Sequence, residues 1–219
     1  MQDLPLVFDR PVAIVGGGTV DVAALAELAA LGAAFVGADG GADVLAAAGH
    51  WPDAVIGDLD SLADPAAWVG RSRLIRIEEQ ETTDFEKALR TTQAPVTVAL
   101  GMTGGRLDHT LAALHALQRF GATRRVILLD AHDLALTAAG PVTFRVAAGE
   151  RVSVYPLSPI RFRRSRGLAY PLDGLTLAPG LRVGTSNTAT EETVVIEPEG
   201  SDDVYLVVLG RHHLRDLVA

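Results

Sequence analysis

From residue 12 to about 130, short apolar runs alternate with stretches of helical period, and that alternation leaves few ways for the chain to fold. Pro11–Val15, Ala33–Ala38, Ala54–Ile56, Arg73–Ile77, Val96–Leu100 and Arg125–Leu129 read as strands. Between them, Val20–Leu31, Gly41–Ala48, Asp84–Thr91 and Leu107–Phe120 read as helices, with a short one at Asp64–Val69. Strands alternating with helices predict βαβ units around a mainly parallel sheet covered on both faces, a three-layer α/β domain. After about residue 140 the texture changes. Val142–Val146, Arg151–Tyr155, Gly167–Leu172, Arg182–Ser186, Thr193–Glu197 and Val204–Leu209 are short and separated by Gly, Pro and Asp turns. They predict a small antiparallel β-domain, sandwich or barrel, with the boundary placing residues 1–140 in one domain and 141–219 in the other.

Several function classes are disfavoured at once. With 48% hydrophobic and 21% charged residues the composition is globular, and no run reaches the roughly 20 apolar residues of a membrane span. No secretory signal is visible at the start, and there are no cysteines, so the expectation is a cytoplasmic protein without disulfides or thiolate chemistry. A formal net charge of −8 argues against nucleic acid as the main partner. Lys87 is the single lysine, and none stands in a glycine-rich loop, so a P-loop is absent.

Ligands of an open parallel sheet bind outside the carboxyl ends of the strands. The residues expected there are Gly16-Gly17-Gly18, Asp39-Gly40-Gly41, Gly57-Asp58-Leu59-Asp60-Ser61, the run from Glu78 to Asp84, and the run from Gly101 to His109. Glycines and aspartates thus crowd one edge. In extended backbone Asp58 and Asp60 would project from one side, with Leu59 turned inward. Two carboxylates that close repel, and a hard divalent cation is the usual remedy. Thr83-Asp84-Phe85-Glu86 fits a capping box, and its place beside that loop makes Asp84 a third candidate ligand. Gln80 and Glu81 lie in the same loop. Gly104, Gly105 and Arg106 join a permissive backbone to a guanidinium suited to phosphate, with Asp108 at the helix start. The residues point to a Mg²⁺-dependent enzyme acting on nucleotide phosphates. The arginine-rich run 161–166 reads as a solvated edge strand.

Taken in order, these motifs resemble the thiamine pyrophosphokinase family. The match runs through Ala38-Asp39-Gly40-Gly41-Ala42, Pro52-Asp53, Ile56-Gly57-Asp58-Leu59-Asp60-Ser61, Thr83-Asp84-Phe85-Glu86-Lys87-Ala88-Leu89 and Gly104-Gly105-Arg106-Leu107-Asp108-His109. It resumes at Gly167-Leu168-Ala169-Tyr170-Pro171-Leu172 and Gly184-Thr185-Ser186-Asn187. The resemblance implies transfer of the intact β,γ-diphosphate of ATP to the hydroxyl of thiamine, with release of AMP. It implies a homodimer with active sites at the interface. Mg²⁺ would be held by Asp58, Asp60 and Asp84, with Asp39 and Gly40 near the phosphates beside Gly104, Gly105 and Arg106. Gln80 and Asp108 would lie near the reacting atoms, either Asp84 or Asp108 would accept the thiamine proton, and Ser186-Asn187 would contact the aminopyrimidine. Two positions depart from the family pattern: Glu81 replaces an expected aspartate, and Thr188-Ala189-Thr190 follows Asn187 without an acid or an aromatic residue. The alternatives are a diphosphokinase for another small alcohol, such as a hydroxymethylpterin, and a non-catalytic thiamine- or nucleotide-binding module.

Overall fold

The computed structural model describes residues 5–218, which divide into two compact units. In the first unit the order is β1 (Leu6–Val7), β2 (Val12–Val15), α1 (Val22–Ala30), β3 (Ala34–Ala38), α2 (Gly41–Ala47), β4 (Ala54–Gly57), a 3₁₀ turn (Pro65–Trp68) and β5 (Arg73–Arg76). It continues with α3 (Asp84–Thr91), β6 (Thr92–Gln93), β7 (Thr97–Leu100), α4 (Leu107–Phe120) and β8 (Val126–Leu129). Six strands run parallel in the order β8-β7-β2-β3-β4-β5. Every residue of β2, β3, β4, β7 and β8 is buried, which is why these strands read as unbroken apolar runs. Only β5, with an arginine at each end, is partly exposed, and it sits at the edge of the sheet.

From β2 the chain winds outward through β3, β4 and β5, whereas β7 and β8 lie on the other side of β2. The switch point therefore falls between β2 and β7, where the crevice of an open α/β sheet forms. Local signals fix the helices that face it. Asp21 caps α1 by accepting from the Ala23 amide at 2.8 Å, and α3 begins with the complete capping box of Thr83 and Glu86. At the start of α2, a Cβ on Gly41 would come within 1.8 Å of the Val15 carbonyl oxygen, so only glycine lets this helix meet the end of β2.

The second unit is antiparallel: β9 (Asp133–Ala139), β10 (Val142–Arg145), β11 (Arg151–Pro156), β12 (Ile160–Arg166), β13 (Thr176–Leu177), β14 (Gly184–Thr188), β15 (Thr193–Pro198) and β16 (Val204–Gly210). One group is ordered β14-β11-β16-β9 and the other β10-β15-β12-β13. The rings of Phe162 on β12 and Tyr205 on β16, both fully buried, meet edge to face with centroids 5.4 Å apart, as in a sandwich core. A five-residue helix, α5 (Leu214–Val218), closes the described chain and belongs to the first unit.

Three local readings change. Asp133–Ala139, ahead of the expected boundary at 140, is a strand paired over its whole length with Val204–Gly210, and so it belongs to the second unit. Residues 167–172 form a loop with a single bridge, Leu168 to Ala189, in place of the expected strand. The arginine-rich β12 lies between β15 and the two-residue β13, which pairs with it only at Ile160 and Arg161, so the expected edge is covered at its start alone. Its cations are matched across the pair: Arg163 and Arg164 reach Glu197 at 2.5 and 2.6 Å, and Arg161 reaches Glu199 at 2.9 Å.

Candidate active site

The carboxyl ends of the parallel strands surround a cleft of about 830 Å³, lined by Gly16–Gly18, Asp39, Gly40, Asp58, Ser61, the segment from Gln80 through the first turn of α3 to Lys87, Met102, Gly105, Arg106 and His109. All of these residues belong to the first unit.

Asp39 ends β3 with its backbone in the left-handed region, φ 47°, and its side chain is buried. Its Oδ2 accepts from the Ser61 amide at 3.1 Å, while its Oδ1 is buried without a hydrogen-bond partner. A buried, unpaired carboxylate oxygen is costly and asks for a cation. Asp58 and Asp60 each bring a carboxylate oxygen to within 4.8 Å of the other and of Asp39. The route to that convergence differs from the extended strand expected. Leu59 takes φ 67°, unusual for a branched residue, and Asp60 turns back to donate its amide to Asp58 Oδ1 at 3.3 Å. Leu59 packs against the cluster of Ala42, Val55, Leu62 and Trp68, so its apolar anchor holds the two carboxylates in the turn. Repulsion does not dominate at Asp58 either. The Gln80 amide, donating at 2.9 Å, holds its carboxyl below the usual range, with the Asp60 amide and the charge of Lys87 adding to it.

Asp84 stands beside this group at the first position of α3. A Cβ on Gly57 would lie 2.8 Å from Asp39 Cβ and 3.0 Å from Asp84 Oδ1, so the glycine is what allows the two acids to flank β4. Burial pushes the Asp84 carboxyl up; Lys87, donating at 3.0 Å, opposes this, and the charges of Asp39 and Asp58 add to it. Lys87 is only 2% exposed and lines the cleft. Reading the sequence assigned it no role, although its standing as the single lysine, one helical turn after Asp84, was a usable signal. Glu79 was missed as well. Its carboxylate accepts the amides of Glu81 and Thr82 at 2.8 and 3.0 Å, the Thr82 hydroxyl, and Arg90 at 3.1 Å. The Thr82 hydroxyl leads the causes that hold the Glu79 carboxyl down at about 2, and the staple fixes the loop that presents Gln80.

The other wall is backbone. The Gly18 amide donates to the Gly101 carbonyl at 3.0 Å, and a Cβ on Gly18 would stand 2.5 Å from that oxygen, so the loops after β2 and β7 meet without side chains. Thr19 donates its hydroxyl to the Gly104 carbonyl at 3.2 Å. Arg106 forms a two-pronged pair with Asp108, at 3.1 and 2.6 Å, both side chains largely exposed. Each holds the other charged: the pair raises the guanidinium and lowers the carboxyl. Arg106 lines the cleft, and Asp108 does not.

In the second unit, Asn187 is buried and its amide is taken up by backbone. It accepts from the Tyr170 and Thr188 amides at 3.0 and 2.9 Å and donates to the Tyr170 carbonyl at 2.7 Å. It clamps the 167–172 loop. Ser186, exposed and left-handed at φ 58°, donates its amide to the Ser153 hydroxyl at 3.0 Å.

Magnesium takes oxygen ligands, and the donor set at the strand ends consists of carboxylate oxygens, one of them buried and unpaired. The residues fit that ion. The other such cluster among the described residues, Glu150 with His212 and His213, contains imidazole nitrogens and is of a different kind.

Comparisons with known proteins agree on one family. A family model described as thiamin pyrophosphokinase, catalytic domain, matches residues 26–129. The chain is 28% identical over 167 residues to thiamin pyrophosphokinase 1 of Caenorhabditis elegans, covering 69% of this chain and 68% of that protein. It is 29% identical over 176 residues to thiamine pyrophosphokinase 1 of Oryza sativa subsp. japonica, covering 72% and 66%. Among solved structures, a thiamin pyrophosphokinase family protein from Enterococcus faecalis superposes with a TM-score of 0.71 at 25% identity, over 92% of this chain and 99% of that one.

Proposed function

This chain belongs to the thiamin pyrophosphokinase family, and from that premise we propose that it moves the β,γ-diphosphate of ATP as one unit onto the hydroxyl oxygen of thiamine, giving thiamine diphosphate and AMP. The observation that carries this reading is the convergence of Asp39, Asp58 and Asp60 at a cleft on the switch point, with one Asp39 oxygen buried and unpaired.

The glycine loops at 16–18 and 104–105 let phosphate approach backbone closely, and Arg106 supplies a fork-shaped cation at their edge. Asp58 and Asp60, with the free oxygen of Asp39 and with Asp84 alongside, would hold Mg²⁺. When bound, that ion neutralises the charge of the phosphates. The thiamine oxygen forms a bond to the β-phosphorus, the bond from that phosphorus to the oxygen bridging the α-phosphate breaks, and AMP leaves with that oxygen. The hydroxyl proton needs an acceptor. Asp84 suits the task better than Asp108, because it lines the cleft, whereas both oxygens of Asp108 are engaged by Arg106. Gln80 orients Asp58, and Lys87 balances charge beside Asp84. The aminopyrimidine contact falls to Ser186, with Asn187 shaping the loop around it. A cytoplasmic homodimer completes the proposal.

Purified protein given ATP, Mg²⁺ and thiamine should form AMP and thiamine diphosphate in equal amounts, resolved by ion-exchange chromatography. ADP with thiamine monophosphate would refute the two-phosphate transfer. AMP formed with a hydroxymethylpterin and not with thiamine would move the assignment to another diphosphokinase. Absence of AMP with every acceptor would leave a binding module.

A further inference from the structure

A cluster that takes no part in the proposed chemistry lies in the second unit, where β11 and β16 run side by side. Their register pairs Ser153 with Val208, so the turn before β11 comes opposite the turn after β16. Glu150 sits in the first turn, and His212 and His213 sit in the second, a 3₁₀ turn over Arg211–His213. Residues some sixty positions apart in sequence are thereby brought onto one carboxylate. His213 Nε2 lies 2.6 Å from one Glu150 oxygen and His212 Nε2 lies 3.1 Å from the other. One donor atom from each of the three residues falls within 4.8 Å of the other two.

The arrangement is held in place. The two imidazole rings are tilted against each other with centroids 4.2 Å apart. His213 is almost fully buried, Glu150 is about a third exposed, and His212 is mostly exposed, so the cluster has a fixed floor and one side open to solvent. Gly210 provides the space. A Cβ there would stand 2.7 Å from His212 Cε1 and 2.8 Å from its Nδ1, so any larger residue would push the ring away. The Glu150 backbone is fixed too: its amide donates to Ala147 at 3.1 Å, and its carbonyl accepts from Ala189 at 2.8 Å.

We propose that Glu150, His212 and His213 form a site for a divalent transition-metal ion of the zinc type, sharing no residue with the acidic cleft. Two imidazole nitrogens and one carboxylate oxygen are a recurrent zinc donor set, with further positions left for water. Nitrogen donors also discriminate: imidazole suits zinc and its neighbours, while Mg²⁺ takes oxygen and prefers the aspartates of the first unit.

Untagged, chelator-treated protein is dialysed to equilibrium against Zn²⁺ in a large excess of Mg²⁺, with Co²⁺ used in parallel as a spectroscopic probe. The wild type should take up one Zn²⁺ per chain, and Co²⁺ should give visible absorption bands that Zn²⁺ abolishes. His212→Ala, at an exposed position that spares the core, and Glu150→Gln should each abolish this uptake. Gly210→Ala keeps all three ligands and should weaken binding by roughly ten-fold through ring displacement. Asp58→Asn should leave it unchanged. Circular dichroism and Tm confirm that each variant is folded. The proposal is overturned by the lack of saturable Zn²⁺ uptake in the wild type, by uptake that persists in His212→Ala and Glu150→Gln, or by uptake lost in Asp58→Asn.

Discussion

Asp58 shows how one side chain can be fixed by its neighbours before any ligand arrives. Gln80 donates to one of its oxygens and the Asp60 amide to the other, so its charge is supported even with two other acids close by. The unmet demand lies at Asp39, whose Oδ1 has no partner. If Mg²⁺ answers that demand, it stabilises the folded chain by mass action, by about 2.7 kcal/mol at a hundred-fold excess over Kd. Titrating Mg²⁺ while recording Tm should therefore show a rise for the wild type that is lost in Asp58→Asn. Turnover of that variant should fall by roughly 10² to 10³-fold, the scale of removing one transition-state charge partner. An unchanged Mg²⁺-dependent rise would remove Asp58 from the ligand set.

Glu79 shows a single carboxylate organising a whole loop. With the Thr82 hydroxyl, two amides and Arg90 all directed at it, the segment between β5 and α3 is held so that Gln80 and Asp84 face the cleft. The sign of its pH dependence follows from the direction of its shift. The folded carboxyl titrates near 2, below its ordinary value of 4.5, so the folded state favours the charged form. That stabilisation is complete above about pH 4.5 and is lost as pH falls towards 2. Tm measured across that window should drop less steeply in Glu79→Gln than in the wild type, and at neutral pH the variant should melt earlier. Parallel curves would mean that the staple contributes nothing measurable. The helix that follows was legible from its capping box, but the staple was not, because nothing in the spacing of Glu78, Glu79 and Glu81 tells which acid turns inward.

The two units differ in how far their outlines could be read from sequence. The βαβ unit announces itself because buried parallel strands are short unbroken apolar runs separated by helices of clear period. In the second unit β9 went unseen: Asp133–Ala139 is rich in alanine and leucine, residues that favour helix, and it pairs as a strand along Val204–Gly210. The proposed homodimer is a property of the assembled chain. Light scattering on dilute, active protein should give about twice the 23.0 kDa chain mass. An active monomer would mean that one chain supplies every residue the reaction needs.

Local patterns were sufficient to place glycines and aspartates at one edge of a parallel sheet, since each βαβ unit returns its strand ends to the same side. They also yielded the Asp58-Leu59-Asp60 and Thr83-to-Glu86 motifs, because turns and caps are written in consecutive residues. Packing decided how those residues are placed. It buried Asp39 with one oxygen unpaired, turned Leu59 left-handed over its apolar anchor, and paired Lys87 with Asp84. It spent the Asn187 amide on Tyr170, seventeen residues away, and brought Glu150 to His212 and His213 across more than sixty. Hydrophobic period and turn chemistry act over a few residues, whereas burial and the meeting of distant side chains exist only once the whole chain has closed on itself.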